Sequence, residues 1–202
     1  MPFILLIMPH VDKLAFNGDP NVGLYGIATD KFCILGKSVP KKIAERLEKI
    51  LKVPVIQAHI YGTSLIGIFV AATSDIVLVP DVIFERELRD LKKNMKGIAE
   101  VKTLKTEKTA LANNILNNDK VAIVSPEFSK KEAEDIRKAL KLKTVQMSLA
   151  DLEVPGSAAI LTSKGAIFNP NLSDSEIKKV EKLIGFELGL GTVNMGSPIV
   201  GS

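Results

Sequence analysis

The stretch Leu65-Ile66-Gly67-Ile68-Phe69-Val70-Ala71-Ala72 contains a short phrase, a pair of mostly apolar residues before a small one, that returns along the whole chain. The small residue of each copy lies 44 or 45 positions from the next, at Gly23, Gly67, Ala112, Gly156 and Gly201. A period of this size is typical of a protein built from one structural unit used several times. The fold is therefore expected to repeat a single unit of about 44 residues.

Each phrase is followed by the pattern of a β-hairpin. An apolar run comes first, then polar turn formers such as Thr73-Ser74-Asp75, then a second apolar run, which together predict two antiparallel strands. The first runs cover residues 24–28, 68–72, 113–116 and 158–161, and the second runs cover residues 32–35, 76–79, 121–124 and 166–168. A further extended stretch leads back to the next phrase at residues 53–60, 97–104, 143–149 and 186–193.

A helix is predicted after each hairpin, because apolar residues recur at spacings of three and four. In the first unit these residues are Ile43, Leu47, Ile50 and Leu51, with charged residues between them. Two later helix starts carry the spacing of a capping box, Ser129 with Glu132 and Ser173 with Glu176. Pro40 lies near the start of the first helix, where proline is favoured.

The repeat also indicates how the units assemble. A single unit would leave one face of its sheet bare, so the copies must pack on one another. A linear stack and a closed ring both achieve this, and the ring is favoured because no polar capping unit is visible. We predict one domain, 1–202, with repeats at 11–54, 55–98, 99–143, 144–187 and an incomplete 188–202. By the period itself, about 20 to 25 residues of the fifth repeat are expected to be missing from the sequence.

The composition, 46% hydrophobic and 25% charged residues, fits a single globular body in the α/β class. Cys33 is the only cysteine, which excludes an internal disulfide and indicates a cytoplasmic protein. Residues 1–10 are apolar but lack a basic leader and are too short to span a membrane. Since Met8-Pro9 repeats Met1-Pro2, these residues are either an extension ahead of the first unit or an ordinary first strand.

The sequence offers little chemistry. His10 and His59 have no neighbour at metal-ligand spacing, so neither a metal site nor a cofactor is predicted. Cys33 lies between Phe32 and Ile34 in a predicted strand, where a buried core residue is favoured over a nucleophile. The 27 basic residues include only four arginines, which argues against a dedicated nucleic-acid reader, and the helix lysines are interpreted as solvated faces.

Four strings carry a resemblance to a known family. They are Phe16-Asn17-Gly18-Asp19-Pro20-Asn21-Val22-Gly23, Leu78-Val79-Pro80, Thr109-Ala110-Leu111-Ala112-Asn113 and Gly191-Thr192-Val193-Asn194-Met195-Gly196-Ser197. In this order, and with the 44-residue period, they resemble the archaeal and eukaryotic translation initiation factor six family, which are ribosome anti-association factors. The resemblance covers roughly residues 11–202, and the absence of long eukaryotic insertions resembles the archaeal members.

The resemblance implies a pentein fold, five quasi-identical subdomains about a pseudo-fivefold axis with strands inside and helices outside. It also implies binding to the intersubunit face of the large ribosomal subunit, with roles in translation initiation and large-subunit maturation. The expected partner is a ribosomal protein beside the sarcin-ricin loop, together with nearby ribosomal RNA. A face docked there would exclude the small subunit sterically and without catalysis. A monomer without DNA or membrane partners is expected.

The docking residues are expected in the phrases and in the loops beside them. They are Asn21, Val22, Gly23, Leu65, Ile68, Ala112, Asn113, Asn114, Asn194, Pro198 and Ile199. Gly23, Ile68, Ala112, Asn113 and Ile199 are the positions that match the docking loops of the family, although eukaryotic members have Arg and Gly in place of Ile68 and Ala112. For the phrase glycines close packing is favoured over contact with a partner, and for Asn113 contact is favoured.

Two other interpretations stay open. A guanidine-modifying enzyme of the same ring fold would use a cysteine, a histidine and acidic residues. Cys33 lies in the first unit, however, whereas those enzymes carry the nucleophile near the carboxyl-terminal end, and no His-x-Asp pair supports it. The third interpretation is an oligomerising scaffold that does not contact the ribosome.

Overall fold

The computed structural model describes residues 14–16 and 18–201. In it, each complete sequence repeat forms the same series of secondary-structure elements. The first unit contains a 3-10 turn (Val22–Tyr25), β1 (Gly26–Ala28), β2 (Cys33–Gly36), α1 (Lys41–Leu51) and β3 (Val55–Ala58). The second contains α2 (Ile66–Phe69), β4 (Ala71–Ala72), β5 (Ile76–Pro80), α3 (Glu85–Asn94) and β6 (Glu100–Leu104). The third contains α4 (Leu111–Asn114), β7 (Ile115–Asn117), β8 (Val121–Val124), α5 (Lys130–Leu140) and β9 (Lys143–Gln146). The fourth contains α6 (Pro155–Ala158), β10 (Ala159–Leu161), β11 (Ala166–Phe168), α7 (Asp174–Ile184) and β12 (Gly189–Leu190). The predictions for residues 1–10 lie outside the described residues.

The beginning of each first apolar run differs from the prediction. The chain passes through a short helical turn at every phrase before it enters the strand, so residues such as Leu24 and Ile68 are helical and not extended. The reason is that each phrase must turn tightly against the phrase of the neighbouring unit. The other predicted strands and all four long helices form within a few residues of their expected positions.

Every sheet has the same topology. The first two strands form an antiparallel hairpin, in which Ile27 lies opposite Ile34 and Ile160 opposite Ile167. The third strand comes after the long helix and pairs in parallel with the second strand. Repeat boundaries at 55, 99, 144 and 188 assign this third strand to the following unit, whereas its hydrogen bonds join it to the hairpin before it.

The helix ends carry the signals expected from the sequence. The hydroxyl of Ser129 accepts the Glu132 N–H at 3.2 Å, while the Glu132 carboxylate accepts the Ser129 N–H at 2.8 Å. Ser173 and Glu176 form the same capping box, and α1 begins directly after Pro40. At the other end α7 stops where Gly185 adopts a left-handed conformation, with φ of 84°.

The first three sheets are buried on both faces, which explains why their second strands are continuously apolar. Cys33 and Leu35 pack against the helix of their own unit, and Ile34 packs against the second unit. In the fourth sheet Ile160 and Ile167 are each 47% exposed, and no further hairpin among the described residues covers them. Each unit therefore builds its core with the help of the next one.

Hydrogen bonds between the hairpin tips join the four units in a closed circuit. The donor and acceptor pairs are Lys31 to Asp75, Ser74 to Asp119, Asn118 to Thr162 and Ser163 to Asp30. The Ser163 hydroxyl returns to the first unit at 3.2 Å, and at the opposite end Asn194 donates to Asn21 at 2.6 Å. Because the first and last parts of the chain meet, the ring predicted from the repeat is confirmed and the linear stack is excluded.

Candidate functional site

The phrase turns of all units gather at the end of the ring opposite the hairpin tips. Two positions of each phrase reach the surface, the second residue before the small residue and the first residue after it. We call this surface the loop face. Its nine residues are Asn21, Leu24, Leu65, Ile68, Ala110, Asn113, Val154, Ser157 and Ile199, and all are half-buried.

The small residue of the phrase lets neighbouring turns approach closely. A Cβ atom placed on Gly67 would lie 1.6 Å from the carbonyl oxygen of Gly23, and one on Gly156 would lie 1.7 Å from that of Ala112. Gly201 is equally confined, at 2.0 Å from the Gly156 oxygen. These glycines therefore have a structural role, and the distances support the packing interpretation of the phrase.

An inward-facing residue, which is buried in four of the five phrases, fixes each turn from below. Ile66, Leu111 and Val200, which directly precede the small residue, are completely buried, and Pro155 is buried at the same position. Val22 occupies this position in the first unit and packs against the core under α1. The phrase thus alternates between a core residue and a surface residue, which orients the loop face.

Side chains also brace the loops that lead into the turns. Asp19 accepts the Asn21 N–H at 2.9 Å, Thr63 accepts the Leu65 N–H at 3.2 Å, and Ser197 accepts the Ile199 N–H at 3.3 Å. The second carboxylate oxygen of Asp19 accepts the hydroxyl of Tyr25 at 3.0 Å, a bond that raises the pKa of the tyrosine. Asp19 therefore has a structural role in this turn.

A glutamate at the start of three long helices reaches the same loops. Glu87 accepts the N–H groups of Tyr61 and Gly62 at 2.7 and 2.8 Å. Glu132 accepts the hydroxyl of Thr106 at 2.6 Å, and Glu176 accepts the Ala150 N–H at 2.9 Å. Helix starts and loops are therefore tied together, which makes the loop face a rigid surface.

The structure divides the predicted docking residues into groups. Asn21, Leu65, Ile68, Asn113 and Ile199 lie on the loop face. Gly23 and Ala112 form the turns below it, and Val22 is half-buried and packs against the core under α1. Pro198 is half-buried beside Ile199, and Asn194 is exposed and bonded to Asn21.

Asn114 does not fit a contact with a partner. Its side chain is only 7% exposed, and its amide donates to the Ala110 carbonyl at 2.9 Å. The side chain is engaged in holding α4, so Asn114 is left out of the docking surface. Four loop-face residues were not predicted, namely Leu24, Ala110, Val154 and Ser157. The register of the repeat could have found them, because they occupy the positions of Ile68 and Leu65 in the other units.

The loop face is an uncharged surface with charged residues in the loops around it. None of its nine residues is charged, and the charged residues Asp19, Lys108 and Glu153 lie in the loops around it. Within residues 14–16 and 18–201, no three His, Cys, Asp or Glu side chains are grouped to hold a metal ion. Cys33 is 3% exposed, and burial raises the pKa of its thiol to about 12. A thiol held in that state is not a nucleophile at neutral pH.

Comparison with known proteins adds independent information. A sequence profile of the eIF-6 family matches residues 11–202. The chain is 36% identical to translation initiation factor 6 of Pyrococcus abyssi over 196 residues, which cover 96% of this chain and 86% of that protein. It is 32% identical to translation initiation factor 6 of Sulfolobus acidocaldarius over 193 residues, covering 95% and 86%.

The solved structure of C. jejuni agmatine deiminase is similar in fold, with a TM-score of 0.51 at 11% identity. The match covers 79% of this chain and spans 59% of the length of the deiminase. It shows the fold alone, and it confirms the pentein-type ring. The described part of the chain has no helix that is both long enough and apolar enough to cross a membrane.

Proposed function

The chain belongs to the eIF-6 family of translation initiation factors, and we propose that it binds the intersubunit face of the large ribosomal subunit through its loop face. In this position it prevents the small subunit from joining by occupying the space that the contact between the subunits requires. The rigid, uncharged loop face is the observation that carries the proposal. We further propose that the protein acts as a monomer, on a ribosomal protein beside the sarcin-ricin loop.

The physical properties of the loop face support docking. Protein interfaces combine an uncharged centre with a polar rim, and this surface has an apolar and amide centre with charged loops around it. Its turns are held by buried residues and by side-chain hydrogen bonds, so little conformational freedom is lost when a partner binds. Steric exclusion of the small subunit requires only that the complex with the large subunit persists. The affinity for the large subunit then sets the anti-association activity.

The enzyme interpretation is not supported. The relatives are named as translation factors, and the likeness to the deiminase, at 11% identity, concerns the fold alone. In the structure Cys33 is buried with a raised thiol pKa, and it lies under α1. The chain is therefore assigned to translation and not to guanidine chemistry.

Co-sedimentation with purified large ribosomal subunits tests the proposal directly. We expect the protein to travel with free large subunits and to be absent from joined ribosomes. Asn113→Ser should weaken the affinity about fivefold or more without lowering the melting temperature, because a loop-face contact is lost while the fold stays intact. Asn171→Ser, at an exposed asparagine outside the loop face, is the matched control.

Two results would contradict this function. If the protein stays at the top of the gradient, or travels equally with joined ribosomes, anti-association by large-subunit binding is wrong. If Asn113→Ser and Asn171→Ser bind equally well, Asn113 is not part of the docking surface.

A further inference from the structure

A groove of about 420 Å³ runs along the outside of the ring, between α3 and the edge strand β3. Its walls carry Lys37 and His59 from the first unit and Phe84, Arg86 and Lys93 from the second. The end of the groove that holds Phe84 lies beside the loop at Tyr61 and Gly62, which leads towards Leu65 of the loop face. The other end follows the outer surface of α3.

Cations follow the outward side of α3 for its whole length. Arg86, Arg89 and Lys93 recur at spacings of three and four, which places them on one side of the helix, opposite the buried Leu91, and Lys96 follows two residues beyond the helix end. Of these four cations, Arg86 and Lys93 line the groove. All four are exposed, and none forms an ion pair with another residue in the described parts of the chain. Two of the four arginines in the protein lie in this row.

The two acidic groups of the groove offset only part of the charge of its three cations. Glu87 already accepts three backbone N–H groups, from Tyr61, Gly62 and Phe84. Asp90 is the other carboxylate in the lining, against the three cations Lys37, Arg86 and Lys93. The groove therefore has a net positive charge and no positive group of it is neutralised by an ion pair.

Two exposed aromatic rings stand beside the cations. Tyr61 and Phe84 have ring centroids 5.4 Å apart at an angle of 49°, and they are 49% and 52% exposed. Tyr61 has a positive φ of 53°, held by the bond of its N–H to Glu87, and the Phe84 ring lies against Gly62. Aromatic side chains of large area are thus kept at the surface in a fixed place.

We propose that this groove binds single-stranded RNA, with phosphates along the cations of α3 and an unstacked base against Tyr61 and Phe84. A cationic track beside aromatic rings is the combination by which proteins hold unpaired RNA, since every base has a face that can stack. An acidic peptide would use the cations but would leave the two rings without a partner. The groove is separate from the loop face, so the inference stands whether or not the loop face docks on a ribosomal subunit.

Fluorescence anisotropy with a labelled single-stranded RNA of about 12 nucleotides tests the groove. Titrations between about 50 and 200 mM salt should show binding that weakens as salt rises. In Arg86→Gln/Lys93→Gln the slope of log affinity against log salt should fall by about 1.4, since each single-strand phosphate contact contributes about 0.7. Lys178→Gln/Lys182→Gln, two exposed lysines of α7, removes the same charge elsewhere and should keep the slope. Phe84→Ala should lower the affinity about tenfold through lost stacking.

Several results would overturn the inference. They are the absence of binding at the lowest salt, an equal loss in the α3 and α7 double variants, and an affinity that is unchanged in Phe84→Ala. An acidic peptide that displaces the RNA at equal concentration would identify a peptide site instead. Asn113→Ser should bind the RNA normally, so a failure of the loop-face proposal would be distinguished from a failure of this one.

Discussion

Replacing Gly67 by alanine tests how the ring is held together. The new Cβ atom would lie 1.6 Å from the carbonyl oxygen of Gly23, while Cβ atoms in proteins essentially never approach closer than 3.0 Å. The first two units would have to separate by at least the difference of these distances, about 1.4 Å. The obstacle is the backbone of another unit, so no side chain can rotate away to make room.

The expected loss of stability follows from two opposing terms. Overpacking a tightly packed site costs about 1–3 kcal/mol, and a backbone obstacle places Gly67 at the upper end, about 3 kcal/mol. Alanine in the helical turn α2 recovers about 0.5–1 kcal/mol relative to glycine. The net loss is therefore at least about 2 kcal/mol, and at about 2–4 °C for each kcal/mol the melting temperature should fall by at least about 4 °C.

Thermal unfolding followed by circular dichroism provides the measurement. Gly165→Ala is the control, because a Cβ atom there would meet nothing within 4 Å and the backbone is not left-handed. That variant should melt at the same temperature as the parent protein or slightly above it. If Gly67→Ala melts within about 2 °C of Gly165→Ala, the contact between the turns does not constrain the ring. Ala112 carries a methyl group at the equivalent position of the third unit. The steric exclusion of a Cβ atom therefore applies at particular junctions between units and not at all of them.

Two further predictions concern titratable groups. The hydroxyls of Thr106 and Ser129 hold the pKa of Glu132 below its usual range. Because the folded pKa is the lower one, the carboxylate stabilises the protein above about pH 4.3 and this is lost as the pH falls through the folded pKa. Glu132→Gln should therefore lower the urea concentration at the unfolding midpoint at about pH 7 but barely change it at about pH 2. An equal decrease at both pH values would refute a stabilising role of the ionised carboxylate. The thiol of Cys33, with its pKa raised to about 12, should resist iodoacetamide until the protein unfolds; rapid labelling of the native protein, detected by mass spectrometry, would contradict its burial.

The repeated elements could be predicted because their signals are local. Alternating apolar and polar runs around Thr73-Ser74-Asp75 are sufficient for a hairpin, and the boxes at Ser129 and Ser173 mark where helices begin. These patterns involve residues that are close together in the chain, so they can be recognised from the sequence alone. Packing between units could be predicted because a unit with one bare sheet face needs a neighbour, and the ring was favoured over a linear stack because no polar capping unit is visible.

The helical turns of the phrases could not be predicted in this way. The apolar residues around Gly67 suit a strand by composition, and only the approach of the neighbouring Gly23 carbonyl requires a turn there. The burial of Asn114 has a similar cause, since the sequence shows an asparagine but not the Ala110 carbonyl that its amide reaches. The same limit applies to the groove at α3, where His59 and Arg86 lie 27 positions apart in the chain.

The spacing between units links stability to the proposed function. The turns at Gly67, Gly156 and Gly201 each pack against the turn of the preceding unit, and these glycines allow the short distance between the two turns. A substitution at Gly67 that pushes the first junction apart would therefore shift Leu65 and Ile68 relative to Asn21 and Leu24 without changing any of these four residues. Gly67→Ala should accordingly weaken binding to large subunits even at a temperature where the variant is fully folded, whereas Gly165→Ala should bind normally. Normal binding by a folded Gly67→Ala protein would show that the partner contacts the turns singly, and the loop face would then not act as one surface.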